Sequence, residues 1–244
     1  MNKVFCRKRL LFSLIFTGYL ILFNTACGLD TFYVLDAPTN VVHKPEHGAI
    51  DFATSYFEFY TTDKEYESIK FLGTDVYYKI YKSSARLDSE VNDLENLASR
   101  DQSSSNAAEK LITSYRYQPL RGAGHDDVSV LIPSDGSDDK VYIRLSDYTS
   151  TYPAQITVNN DNIYGSGSRV IPVRNLSNKP SFNFSTIAAD LRPKSGDVDV
   201  SDSGSSSDNY WYVSLFALAI GQDSTYSPIY SNILYLGSVR ISAE

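Results

Sequence analysis

The chain has little cysteine, methionine, tryptophan or histidine: two, one, one and three of 244 residues. Each shortage excludes something. The cysteines are Cys6 and Cys27, so a fold built beyond residue 27 has no disulfide and no free thiol, and its stability must come from burial. The histidines are His43, His47 and His125. His43 and His47 lie four apart, but Pro45 between them forbids the helical interior that would bring both to one face, so they read as solvated loop residues. Positive charge is also short. Lys and Arg number 22 against 29 Asp and Glu, and four of the basic residues (Lys3, Arg7, Lys8 and Arg9) sit at the start. Past Ala26 the balance is 18 against 29, a net of −11. Such a chain lacks the clustered cations that phosphate backbones require, so nucleic acid is not expected as a partner. Electrostatic adhesion to anionic lipid is disfavoured for the same reason.

What is present begins with a leader. The basic residues are followed by an apolar run, Leu10 to Phe23, interrupted only by Ser13, Thr17 and Gly18. It is shorter than the ~20 apolar residues of a stable spanning helix. Small residues Thr25 and Ala26 precede Cys27. These three zones are those of an export signal, and the stretch Leu22-Phe23-Asn24-Thr25-Ala26-Cys27 resembles the processing site of bacterial lipoproteins. Asn24 stands where leucine is usual, in the manner of the relaxed lipobox of spirochaete-type lipoproteins. The resemblance implies cleavage after residue 26, acylation of Cys27, and a membrane-anchored protein at the periplasmic or outer-membrane surface. Residues 27–48, with Pro38, Pro45 and Gly48, then read as a tether with a short strand near Thr39 to Val42. Residues 49–244 read as one domain.

Tyrosine (19) and phenylalanine (12) dominate the aromatic content, which favours strands. Residues 52–61 predict a strand with Phe57 and Phe59 on one face and Tyr56, Glu58 and Tyr60 on the other. Val76, Tyr78 and Ile80 alternate with Tyr77, Lys79 and Tyr81, a second strand half-buried in an antiparallel sheet. The period then changes. Leu87, Val91, Leu94, Leu97 and Ala98 recur at helical spacing, with the acids towards the helix start. Asn106 stands three before Glu109 like a capping box. Residues 87–115 therefore predict an inserted helical hairpin.

Further on, Pro119 to Asp126 is a Gly-rich turn whose Arg121, His125 and Asp126 group with the adjoining Asp127; it lacks the Lys-Ser/Thr ending of a phosphate loop. Val128, Val130 and Ile132, then Ser134 to Asp139, then Val141, Ile143 and Leu145 predict a β-hairpin. Short strands are expected around 156–158, 170–173 and 182–184, with turns at 159–162 and 165–167. Residues 194–209 are polar and acidic and predict a loop. Asp197, Asp199 and Asp202, like the acids of 134–139, lack the ligand spacing of a calcium loop. Tyr210 to Ile220 is apolar on both faces. A two-layer sandwich covers only one of them, so the hairpin of 87–115 is expected to lie over Phe216 and Leu218.

The segments Val76-Tyr-Tyr-Lys-Ile-Tyr81, Trp211-Tyr-Val-Ser-Leu-Phe-Ala217 and Ser227-Pro228 resemble strand C, strand F and the turn into strand G of fibronectin type III modules. The tryptophan of strand B is absent from 52–61. The implied fold is mainly β: an antiparallel fibronectin-III or immunoglobulin-like sandwich with an inserted helical hairpin. No cofactor, metal or catalytic residue is expected. Tyr164-Gly165-Ser166-Gly167-Ser168 misses the Gly-x-Ser-x-Gly pattern by one glycine. The function to expect is a non-catalytic binding or structural domain presented at the envelope, its partners the membrane through acyl chains and a protein or glycan through residues such as Tyr148, Tyr152 and Tyr164. A carbohydrate-binding module, or less so a hydrolase without a recognisable motif, is the alternative.

Overall fold

A computed structural model describes residues 33–48, 51–147, 149–165, 167–176, 183–184, 192–201 and 210–242. Cys27 and the leader lie outside these residues, as do Tyr148, Ser166 and Asp202. Among the described residues no helix is long and apolar enough to cross a membrane. In chain order the elements are β1 (Thr39–His43), β2 (Phe57–Tyr60), β3 (Lys70–Tyr81), α1 (Ser84–Arg100) and α2 (Asn106–Glu109), which a π-helical turn Lys110–Ser114 prolongs. There follow β4 (Gln118–Pro119), β5 (Arg121–Gly122), β6 (Ile132–Pro133), β7 (Lys140–Arg144), β8 (Gln155–Val158), β9 (Asp161–Asn162), β10 (Pro172–Val173), β11 (Val200–Ser201), β12 (Tyr210–Gln222) and β13 (Pro228–Ser242).

The protein is mainly β. One sheet runs β1-β2-β7-β8-β9, antiparallel throughout. A second is centred on β12, which pairs antiparallel with β3 and β13, and β5 and β10 pair separately as a two-stranded ribbon. The segments compared with strands C, F and G are thus neighbours, as β3, β12 and β13. The free edge of β3 is sealed piecewise: β6 pairs with Gly73–Thr74, β4 with Tyr77–Tyr78, and β11, in parallel, with Ile80–Tyr81. Gly73 makes the first of these contacts possible. It has φ +133°, and a Cβ there would lie 2.1 Å from the Ile132 carbonyl oxygen.

Period-2 patterning assembles the core. Phe57, Phe59, Val141, Ile143 and Ile156 from the first sheet meet Val76, Tyr78, Ile80, Val213, Leu215 and Val239 from the second. The opposite face of β3 and β12, with Tyr77, Tyr81, Phe216 and Leu218, packs against Leu87, Val91, Leu94, Ala107, Ala108 and Leu111 of the helices. Leu87, Val91 and Leu94 recur at i, i+4 and i+7, one stripe of α1. Phe216 and Leu218 are fully buried under it. The second sheet is thus apolar on both faces because it is the middle layer of three.

Several expectations need correction. The strand at 52–61 is shorter: Phe52–Thr54 is a 3₁₀ turn capped by the Asp51 carboxylate, and pairing starts at Phe57. β3 is buried on both faces, since the helices cover the one expected to face water. The first turn of α1 contains no acid; Ser83 caps it, accepting from the Arg86 amide at 3.4 Å. At α2 the capping position is Ser105, whose hydroxyl donates to Glu109 at 2.7 Å, and Asn106 is the first helical residue. No hairpin joins 128–132 to 141–145, because β6 belongs to the β3 edge and β7 to the other sheet. In 194–209 the strand β11 replaces part of the expected loop. The compact unit starts at Val34, and Leu35 and Pro45 are buried, so residues from 34 onwards pack with the domain instead of serving as tether.

Candidate functional site

Among the described residues eight Asp, Glu, Lys or Arg side chains are buried, and six of them form three ion pairs, Asp75 with Arg121, Glu90 with Lys79 and Asp199 with Arg174. Arg121 is paired with Asp75 at 2.7 and 3.2 Å; Asp75 Oδ1 also accepts from the amides of Val76 and Leu131. Burial pushes the Asp75 carboxyl up, and Arg121 opposes it. Arg174 donates through Nε and Nη2 to Asp199 at 2.8 and 2.6 Å and through Nη2 to Asp197 at 2.8 Å, while the Tyr78 hydroxyl donates to Asp199. Glu90 is on the buried face of α1. It accepts from Lys79 Nζ at 2.9 Å, the Tyr81 hydroxyl at 2.8 Å and Arg86 Nε at 2.7 Å. The Tyr81, Tyr117 and Ser214 hydroxyls continue that chain at 2.8 and 2.7 Å. Burial pulls the Lys79 ammonium below its ordinary value, against the pull of Glu90. Such pairs hold segments in register, although Arg174 Nη1 is buried without a hydrogen-bond partner among the described residues.

Arg144 is different. It is 4% exposed, on the outer face of the first sheet, at the end of β7. Its guanidinium carbon lies 4.8 Å from the Tyr152 ring centroid, 5.5 Å from Tyr56 and 5.7 Å from Tyr142. Nη2 donates to the Ala53 carbonyl at 3.1 Å. Nε has no hydrogen-bond partner among the described residues, and no described carboxylate comes within ion-pair distance. Around it runs a ladder of rings: His43 stacks on Tyr56 at 3.8 Å and Tyr56 on Tyr142 at 4.9 Å. Alternation puts Glu58 and Lys140 on this face too, paired at 2.7 Å. Burial raises the Tyr142 phenol above its ordinary value, with the Arg144 charge opposing.

A cleft of about 440 Å³ forms a second concavity, between residues 44–48, α1 and β13. That volume is within the range of small-ligand pockets. Lys44 Nζ sits 4.1 Å over the Tyr235 ring and 3.9 Å from Glu95. His47 Nδ1 is 3.2 Å from the Ser238 hydroxyl. The cleft exists because Gly237, at φ +117°, bulges β13 and admits the backbone of Pro45, whose carbonyl oxygen would meet a Cβ at 2.9 Å. Its polar groups are largely paired with one another.

The sequence-derived candidates are dispersed. His43 is not a loop residue but the end of β1, bonding the Tyr56 carbonyl through Nδ1 at 2.8 Å; His47 is in a turn, as expected, and is half-buried at the edge of the cleft. Arg121 is an interior residue, not part of a surface turn, and His125 packs on Tyr164 at 4.2 Å. Tyr164 is tied down, its hydroxyl donating to the Leu131 carbonyl at 3.0 Å. Asp197 and Asp199 serve Arg174. In the loop 134–139, the Asp63 carboxylate accepts from the amides of Asp135 and Gly136 and from the Ser134 hydroxyl. Among the described residues no group of three or more His, Cys, Asp or Glu is placed to hold a metal. Glu90 and Arg144 escaped notice. Glu90 had a signal, since it falls three after Leu87 and four before Leu94, on the apolar stripe. Arg144 had none beyond its place on the polar face of β7.

Family models, curated proteins and solved structures were all compared with the chain, and none matches it.

Proposed function

We propose that this chain is an envelope lipoprotein, anchored through acyl groups on Cys27, whose β-sandwich is a non-catalytic binding domain that uses the outer face of the β1-β2-β7-β8-β9 sheet. The observation that supports the binding part is the contrast in how the chain covers its sheets. One outer face lies beneath α1 and α2. The other carries the ladder His43, Tyr56 and Tyr142 with no layer above it among the described residues. Rings and a guanidinium gathered on an open sheet face are what recognition surfaces use. The pairing of Asp75, Glu90, Asp199 and Arg174 inside the fold agrees with a scaffold rather than a catalyst. Anchoring is tested by following radiolabelled palmitate into the chain in a bacterium that processes lipoproteins. Incorporation and membrane partition should both disappear in Cys27→Ser; membrane partition unchanged by that substitution would refute the anchor.

A carbohydrate ligand is the second reading. The specific observation favouring it is the polar character of that face, where Tyr56, Glu58, Tyr60, Lys140, Tyr142 and Thr157 bring hydroxyl, carboxylate and ammonium groups rather than aliphatic ones.

A further inference from the structure

The chain enters its compact unit, at Val34, beside the tip of the β12–β13 hairpin. Leu35 is buried with Ile69 and Ala219, and Tyr66, Phe71 and Ile229 pack around them. Gly221, which pairs with Ile229 next to the tip, closes on Leu35: a Cβ there would lie 3.4 Å from Leu35 Cδ1 and 2.7 Å from Ile69 Cγ2. Asp36 fixes the entry, its amide donating to the Tyr66 hydroxyl at 2.9 Å and its carboxylate accepting from Lys64 Nζ at 2.6 Å. At the same end Val34 is 45% exposed and Tyr226 is 80% exposed, the most open large apolar side chain among the described residues. Tyr226 stands at φ +64°, a backbone state that glycine adopts freely and a bulky residue only at a cost. The Asp223 carboxylate keeps the turn in that form, accepting from the Thr225 amide and hydroxyl and from the Ser227 amide. Asp223 is the only charged residue of 223–227, so the turn presents an aromatic ring while its one carboxylate is already bonded.

We propose that this end is a second membrane contact: Tyr226 rests in the headgroup layer of the bilayer that holds Cys27, and the domain stands on its β12–β13 tip. This rests on the lipoprotein reading given above. Covalent geometry supplies the occupant. Residues 28–33 join Cys27 to Val34, and seven Cα steps span at most about 25 Å. β12 runs 13 residues, about 43 Å at the usual rise of a strand. An anchor on Cys27 therefore keeps the tip within about 25 Å of the bilayer in every orientation, whereas the far end of the strand, where Tyr210 pairs with Ser242, is free to stand off. Tyrosine suits the headgroup layer, where its ring is sheltered and its hydroxyl stays wet. The contact needs no cationic patch, in keeping with a net charge of −11 past Ala26. Glu65 and Glu67, exposed on either side of Tyr66, keep it shallow.

The chain past Cys27 has no other cysteine, so a single labelled thiol can be introduced. A nitroxide on Ser224→Cys reports on the turn with Tyr226 intact. One on Val198→Cys reports on the opposite end, since Val198 is 62% exposed and precedes β11 at the Tyr81 end of β3, whereas the hairpin tip lies at the Lys70 end. The full-length protein, processed in cells, is reconstituted on phosphatidylcholine vesicles. The ratio of collisions with oxygen to collisions with a water-borne nickel chelate, which rises with depth, should be at least about threefold higher at 224 than at 198. Adding Tyr226→Asp should bring the ratio at 224 down to that at 198 without lowering the thermal midpoint. Equal ratios in the parent, a higher ratio at 198, or protection at 224 that survives Tyr226→Asp would each overturn the proposal. Palmitate labelling of the same samples separates the two readings. Protein without an acyl group on Cys27 refutes the anchor and the tip contact together, whereas acylated protein with both labels in water refutes the tip contact alone.

Discussion

The two sheets solve the same problem in opposite ways. Each has an inner face sealed in the common core and an outer face to dispose of. The β12-centred sheet makes its outer face apolar, with Tyr77, Phe216 and Leu218, and spends a helical insertion to cover it. The five-stranded sheet makes its outer face polar and aromatic, and among the described residues no layer lies above it. Burial of a charge follows the same division. Under the helices Lys79 meets Glu90, within the fold Arg174 meets Asp199, and on the other face Arg144 meets tyrosine rings, the Tyr142 phenol and the Ala53 carbonyl but no described carboxylate. The covered side is therefore closed in charge, whereas on the other face Glu58 and Lys140 pair and Arg144 has no described carboxylate partner.

Substitutions can break this contrast. The largest effect is expected from Arg174→Met, which strands the fully buried Asp199 carboxylate and should cost about 3–5 kcal/mol in urea unfolding. Arg144→Met strands no acid and should stay within about 1 kcal/mol of the parent, as the lost cation–π contacts offset the relief of a buried charge. Equal losses for the two would erase the distinction between them. Phe216→Ala on the covered face should cost about 3–5 kcal/mol, whereas Tyr142→Ala on the bare face should cost about 1 kcal/mol or less. If the thermal midpoints fall together, the two outer faces are equally structural.

Alkaline pH sharpens the contrast further. Burial holds the phenols of Tyr77, Tyr81 and Tyr117 above their ordinary value of 10.0. The unfolded chain then loses these protons first, so the stability they support is fully present below pH 10 and declines as pH rises above it. Tyr117→Phe should flatten that decline by a small but resolvable amount. Absorbance of phenolate near 295 nm should rise together with the loss of structure; a rise of the full tyrosine complement in the intact fold would contradict burial under the helices.

The parts of the fold that were legible are those fixed by local periodicity. Val213, Leu215 and Ala217 against Phe216 and Leu218 declare a strand with two buried faces, and Leu87, Val91 and Leu94 declare the helix that covers one of them. Pairing partners were not legible. Val128 to Ile132 and Val141 to Leu145 alternate like two arms of a hairpin, but alternation records only which side chains are buried, not which strand is the neighbour. β11 was hidden because Val200 and Ser201 sit in an acidic, serine-rich stretch whose composition reads as a loop. The open face was half legible. Tyr56 and Tyr142 fall on the polar side by simple counting, yet the burial of Arg144 depends on Tyr152 and Ala53, which local pattern cannot bring to the end of β7.

The piecewise edge of β3 carries one more consequence. β11 is held there by the Ile80 amide donating to Asp199 and the Lys82 amide donating to Ser201, and Arg174 clamps Asp199 from behind. If that short plug is removed, part of a long strand is left with amides and carbonyls facing outward, a template on which a second copy can add its own strand. The Arg174 ion pair thus guards against association as much as it supports stability, keeping neighbouring copies from joining edge to edge.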